Sequence, residues 1–457
     1  MSFINPLVSN PIPNIKAELL AHFKGKHVSC LPTPSFVINK SVVERNSQRM
    51  LSSVVQLQAR STAKIQFRGH VKTHKTWEIL KYQLGYDASP HFDNILISTL
   101  NEGWKIIQEQ NKSEKKYVRS MVYGLPNVTF DTLHQLTAMR KHIEEIILLV
   151  DHLDHLRVVK AFCEAHSSLH WPVFIKIDMG THRAGIELAG GNLAPLVEYI
   201  SANSELSLYG FYAHAGHSYS SKTLEQAENY LYDEIKAVTD ATKQIGGSFD
   251  ISKLVLSVGA TPTLHALSRC FQGANNHKLA ALINNDLLGV LELHAGNYCC
   301  LDLQQVSTGC TDLENLSGYV LSTVISQYPG RQGGELLINA GSLALSKETS
   351  SMFPGFGKID YLSAQHGNAD TLAVVSNQTG GDGTGDYGEW YVNRVSQEHG
   401  ILKPLAETAT MIPIGTKVKV LPQHFCITSS SYNVYYIIDD ESEEKIVDVW
   451  VPWRGFS

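Results

Sequence analysis

No stretch of this chain approaches the roughly 18 consecutive apolar residues that a membrane-spanning helix needs, and Met1 to Lys26 lacks the basic-then-apolar pattern of a secretory leader. An excess of basic residues is missing too. The net charge is -6, the opposite of the footprint of a nucleic-acid binder. The seven cysteines include no CxxC pair, and their odd number argues against a disulfide framework; they read as reduced thiols, which points to the cytoplasm. No internal repeat and no heptad pattern is present, which removes solenoids and coiled coils. What is there is a globular balance over 457 residues, 43% hydrophobic and 18% charged, enough for two or three domains with sizeable cores.

From residue 35 to 303, β-like runs alternate with helical patterns. After an opening helix over 40–60, eight strand candidates follow at 65–72, 95–99, 117–123, 145–150, 173–178, 208–213, 254–258 and 288–293. Several are near-continuous apolar runs, such as Glu145-Ile-Ile-Leu-Leu-Val150, as parallel strands buried on both faces require. One helix is well marked: Thr223-Leu-Glu-Gln226 has capping-box spacing, Leu224, Ala227, Leu231, Ile235 and Val238 form an apolar stripe, and Gly246-Gly247 ends it. Eight such units predict an α/β fold, a (β/α)8 barrel over 35–303. A doubly wound open sheet is the competing architecture, and the count of eight favours the barrel. From 304 to 457 the runs at 319–325, 335–339, 417–421 and 432–438 predict a mostly antiparallel β-domain, with residues 1–34 a candidate to pack on it. The glycine-rich Gln378 to Asp386 follows no strand–helix context and reads as a loop, not a phosphate cradle.

The chemistry concentrates where barrel strands end. Arg68-Gly-His-Val-Lys-Thr-His-Lys75 closes the first strand candidate, and strand alternation puts Arg68, His70, Lys72 and His74 on one face. That row is either a solvated edge or a lysine poised for Schiff-base chemistry. Arg183 follows the fifth strand, Tyr212 ends the sixth and Tyr219 lies in the loop after it. Thr261 follows the seventh strand, and Gly296-Asn297 the eighth, at the two loops that often bind phosphate in such barrels. Taken alone, the threonine and the Gly-Asn pair are ordinary turn residues, and Arg183 is an ordinary surface arginine. A lysine on one strand end with a phosphate site across the barrel suggests pyridoxal 5′-phosphate. In the β-domain, Pro422-Gln-His-Phe-Cys426 places His424 and Cys426 two apart on an extended chain, so both point to one face. Imidazole and thiolate are good zinc ligands, but as an isolated pair they also fit a packed histidine and a buried cysteine.

These motifs resemble, in order and spacing from Thr33 to the C-terminus, the eukaryotic-type D-serine dehydratases. Those are fold-type III pyridoxal phosphate enzymes related to D-threonine aldolases and, more distantly, to alanine racemases. The matching stretches are Arg68 to Lys75, Lys176 to Gly185, Tyr212 to Gly216, Gly259 to Thr263, Glu292 to Tyr298, Asn339 to Ser346, Ser396 to Gly400 and Pro422 to Cys426. The resemblance implies that Lys72 carries the cofactor, that Tyr212, Tyr219, Thr261, Gly296 and Asn297 contact it, and that His424 and Cys426 hold zinc; Arg183, from its place after the fifth strand, is a candidate donor to the cofactor's phenolic oxygen or ring. It implies β-elimination of D-serine to pyruvate and ammonia, the work of a D-serine ammonia-lyase. Because related enzymes dimerise, it leaves a homodimer open. Gly69 stands where the family commonly has proline, and His366-Gly367, in the insert over 365–389, imitates the later Glu-His-Gly motif. Two alternatives accompany this reading. One is a D-threonine aldolase or a D-3-hydroxyaspartate dehydratase on the same fold. The other is a pyridoxal phosphate carrier without activity.

Overall fold

The computed structural model describes residues 15–86, 91–166, 169–271, 277–331, 333–362 and 387–455. The glycine-rich stretch 378–386 and His366-Gly367 lie outside these residues. The first strand, β1 (Ser35–Asn39), leads into the helix Lys40–Arg60. Then each strand candidate becomes a barrel strand: β2 (Ile65–His70), β3 (Asn94–Ile97), β4 (Ser120–Tyr123), β5 (Glu145–Val150), β6 (Trp171–Ile177), β7 (Leu206–Ala213), β8 (Val255–Val258) and β9 (Val290–Ala295). They close into one barrel, and β2 pairs parallel with β9 as well as with β3. The open-sheet alternative therefore falls away.

The apolar runs explain the closure. Ile146 to Val150 are all buried because one set of side chains meets the helices and the other meets the barrel axis. Leu96, Val122, Ile147, Leu149, Phe174, Tyr212 and Val255, on β3 to β8, form a compact inner cluster. Threonine starts four of the covering helices: Thr76, Thr99, Thr129 and Thr223 each accept a hydrogen bond from the backbone N–H three residues on. The expected capping box at Thr223 forms with a shift, since the Gln226 amide oxygen accepts from Lys222 N–H instead of from the cap residue. No helix among the described residues is long and apolar enough to cross a membrane.

The second unit contains β10 (Gly318–Tyr328), β11 (Glu335–Ile338), β12 (Gly357–Tyr361), β13 (Trp390–Val395), β14 (Gly400–Pro404), β15 (Lys417–Pro422), β16 (Tyr435–Ile438) and β17 (Asp448–Trp450). The long β10 pairs with β15, with β1 and, past a bulge, with β11, which bends the sheet back on itself. β1 pairs antiparallel with β10 and parallel with β16. The residues from 35 to 39 thus sit in this sheet and not in the barrel. Phe23, Val28 and Leu31 pack with Val37, Tyr319, Tyr436 and Val449 in a separate apolar cluster.

Candidate active site

β2 stops two residues sooner than its sequence suggests. The His70 ring accepts from the Lys72 N–H at 3.4 Å, and Val71–Thr73 turns as a single 3-10 loop. The row of basic groups therefore breaks up. Arg68 is fully buried inside the barrel, where its guanidinium forks onto Glu292 at 2.7 and 3.0 Å and donates to the Ile95 carbonyl at 2.9 Å. His74 is also buried, accepts from Thr76 N–H at 3.1 Å, and is lowered to about 3 by burial. Lys75 adopts φ 51° and places Nζ 3.0 Å from the buried Glu102 carboxylate. Lys72 is exposed, while His70 and Lys75 are half-buried. The protein around it still depresses its amine below the usual lysine range, through burial opposed by the Cys426 charge and assisted by that of Arg183.

The other barrel candidates converge on this amine. Arg183 is exposed on the loop after β6, yet its charge also acts on Lys176, Tyr212 and His214. Tyr212 ends β7 and stacks on His294, with ring centroids 4.3 Å apart and planes 10° from parallel. Tyr219 sits exposed on the 3-10 turn Gly216–Ser220. Thr261 opens the short helix after β8 with a buried hydroxyl. Gly259 just before it has φ 142°, and a Cβ there would fall 2.2 Å from the His294 carbonyl, so the loop needs glycine. The Gly296 carbonyl accepts from Gln83 Nε2 at 3.2 Å, and the same Gln83 amide donates to the His70 carbonyl at 3.0 Å. Gly69 leaves room for that side chain, since a Cβ at Gly69 would lie 3.0 Å from Gln83 Oε1.

The β-domain brings the remaining candidates to the same turn. The Cys426 sulfur lies 3.2 Å from Thr73 Oγ1, Trp453 N–H donates to the Lys75 carbonyl at 2.7 Å, and Ser429 Oγ reaches the Thr73 carbonyl at 3.5 Å. Burial alone would lower His424, but its hydrogen bond to Cys426 and the neighbouring negative charges raise it to about 9. Burial alone would raise the Cys426 thiol, and His424 brings it down instead. Each side chain thus favours the charged form of the other. A distinct group of potential metal ligands, Asp178, His182 and Glu187, lies after β6 with its ligand atoms within 4.8 Å of one another. Asp178 is occupied there as a turn organiser, accepting from the backbone N–H groups of Gly180, Thr181 and His182.

Four buried polar atoms at this junction have no hydrogen-bond partner among the described residues: Thr261 Oγ1, His294 Nε2, Asn297 Oδ1 and His424 Nδ1. Buried polar groups are nearly always satisfied, so such a set fits a polar ligand. A hydroxyl, a side-chain amide and a depressed amine suit a phosphorylated aldehyde, and imidazole beside thiolate suits zinc. Sequence reasoning overlooked several contributors. Lys176, on β6, is lowered to about 8 by burial and the Arg183 charge. Glu234 accepts from Ala215 N–H at 2.6 Å, and its one signal is a carboxylate beside Ile235 in an apolar stripe. Asp302 is signalled only by the helix-cap pattern Asp302-Leu-Gln-Gln305.

Comparison with known proteins places the chain by family and fold. Residues 47–274 match the family model "Alanine racemase, N-terminal domain", and residues 317–438 match "Putative serine dehydratase domain". The chain is 39% identical to the D-serine dehydratase of Saccharomyces cerevisiae over 96% of its own length and 99% of that protein's. It is 37% identical to the D-serine dehydratase of Schizosaccharomyces pombe, over 96% of each. Among solved structures, D-threo-3-hydroxyaspartate dehydratase from Delftia sp. HT23 superposes with a TM-score of 0.70 at 24% identity, covering 94% of this chain and 99% of that one. A cysteine-to-alanine variant of that enzyme, solved in the metal-free form, gives a TM-score of 0.71 at 23% identity, covering 94% and 99%.

Proposed function

Because this chain belongs to the D-serine dehydratase family, we propose that it uses pyridoxal 5′-phosphate on Lys72 and zinc on His424 and Cys426 to convert D-serine to pyruvate and ammonia. The observation that carries this reading is the meeting of the Lys72 turn with Cys426 through Thr73, which brings an amine and a cysteine–histidine pair to one place. Pyridoxal phosphate, when bound, supplies a sink for the electron pair left on the α-carbon when its C–H bond breaks. Zinc, when bound, supplies a Lewis acid for the departing β-hydroxyl, a poor leaving group on its own.

The chain's own residues do the rest. The Lys72 amine, depressed by its surroundings, is able to be neutral and to take the α-proton at Nζ. Thr261 Oγ1 and the backbone of Gly296 and Asn297 would hold the phosphate at the ends of β8 and β9. Tyr212, fixed by its stack on His294, offers a flat wall, and Tyr219 offers a hydroxyl from the neighbouring loop. The Arg183 charge acts on Lys72 and Tyr212, where it favours the neutral amine and would be available to the cofactor as a donor. The site would then lie where the two units meet, a common location for such sites.

The test is substrate choice by the purified, cofactor-loaded protein. D-Serine should give pyruvate. Preferential turnover of D-threo-3-hydroxyaspartate to oxaloacetate, or of D-threonine to glycine and acetaldehyde, would displace this reading within the same fold.

A further inference from the structure

Asp302 is fully buried and caps the helix Leu303–Ser307, with Oδ1 accepting from Gln305 N–H at 2.9 Å. A serine or threonine would satisfy that N–H with a single oxygen and no buried charge. The second oxygen needs another explanation. Oδ2 accepts from Asn297 Nδ2 at 2.7 Å and from the Phe425 N–H at 2.8 Å. Asn297 belongs to the barrel loop after β9. The Phe425 amide lies between His424 and Cys426. One carboxylate oxygen therefore ties a residue expected at the cofactor to the peptide that spaces the two expected metal ligands. Beside it, Gln304 N–H donates to the Gln423 carbonyl at 3.0 Å, so the cap segment and the metal segment run against each other. The bond from Asn297 Nδ2 also fixes the orientation of that amide, leaving Oδ1 as the unpartnered atom.

We propose that Asp302 is a positioning residue that sets the His424–Cys426 pair in register with Asn297, so that zinc and cofactor affinities are coupled through it. This rests on the cofactor and metal reading given above. Zinc held by His424 and Cys426 would immobilise the Phe425 amide, which would fix Asp302 and through it Asn297. By linkage, cofactor bound against Asn297 must favour zinc by the same factor.

The test uses Asp302→Asn and Asp302→Ser. Asparagine keeps an oxygen for the Gln305 cap, but its NH2 cannot accept from Asn297 or Phe425. Serine keeps the cap alone. The full-length, cofactor-loaded proteins are stripped of metal with EDTA and titrated with zinc against a chromophoric chelator. Cofactor retention on dialysis is then read by visible absorbance, with and without zinc. The expected result is zinc binding weakened by about 10- to 100-fold in both variants, with cooperative melting kept. In the parent, chelation should weaken cofactor retention about fivefold or more, and in the variants chelation should no longer matter. Variants that bind zinc as tightly as the parent and keep the coupling overturn the proposal. Variants that both fail to fold would assign Asp302 to the fold alone and overturn it too. A parent that takes up no zinc would instead overturn the metal reading on which the proposal stands, a result plainly distinct from the others.

Discussion

The sulfur of Cys426 lies 3.2 Å from the hydroxyl oxygen of Thr73, a residue 353 positions earlier in the chain. Thr73 follows Lys72 directly, so this contact joins the amine-bearing turn of the barrel to the histidine–cysteine pair of the β-domain. The turn is held from both sides. The His70 ring and Gln83 organise it from the barrel, while Trp453 and Tyr435 approach the Lys75 and His74 carbonyls from the β-domain.

Replacing Lys72 with alanine should remove activity while sparing the fold. The bonds that shape the turn run through the His70 ring, the Lys72 backbone N–H and the Lys75 carbonyl, not through the amine. Loss of the proton-transfer role alone predicts a fall in pyruvate formation of about 10²- to 10⁴-fold, and loss of the cofactor's attachment deepens it. The melting temperature should stay within a few degrees of the parent. A variant with near-parental turnover would remove Lys72 from the chemistry.

Arg68 and Glu292 should behave as a structural unit. Both side chains are fully buried, and Glu292 Oε1 also accepts from Ser257 Oγ at 2.8 Å. Removing one partner strands the other as a buried charge, so Arg68→Met or Glu292→Leu alone should cost about 3–5 kcal/mol in denaturant unfolding. The double replacement should cost clearly less than the sum of the two. Additive losses would mean that the two groups do not depend on each other.

Glu234 should give the protein a pH-dependent stability of a definite sign. Burial pushes its carboxyl up to about 8 from an ordinary 4.5. Between those values the folded state holds a proton that the unfolded chain releases, so stability from this group is full at low pH and falls as pH rises towards 8. The slope is at most about 1.4 kcal/mol per pH unit. Glu234→Gln should flatten the unfolding free energy across that window relative to the parent. Identical slopes in the two proteins would contradict the assignment.

Much of the architecture could be read from local pattern, because parallel strands buried on both faces must be apolar along their length, as Ile146 to Val150 are. The threonine at Thr223 marked one helix start for the same local reason. What local pattern could not show were partners distant in sequence. Arg68 looked exposed on a strand face because its counter-ion, Glu292, sits on the last barrel strand. Residues 35–39 fell within the bounds expected for the barrel, but the pairing of β1 with β10 and β16 is decided some 280 to 400 residues later. The end of β2 was misplaced because a histidine side chain, His70, supplies the acceptor that turns the backbone. The spacing of His424 and Cys426 marked them only as one candidate pair, whereas Asp302, which grips the peptide between them, carries only the mark of a helix cap.

The most direct measurement is pyruvate release from D-serine by the cofactor-loaded protein before chelation of metal, after it, and after zinc alone is restored. The account predicts that chelation stops turnover while the cofactor's visible absorbance persists at saturating cofactor. Zinc should restore turnover in the parent and fail to do so in Cys426→Ala. Undiminished pyruvate release from fully chelated protein would contradict it.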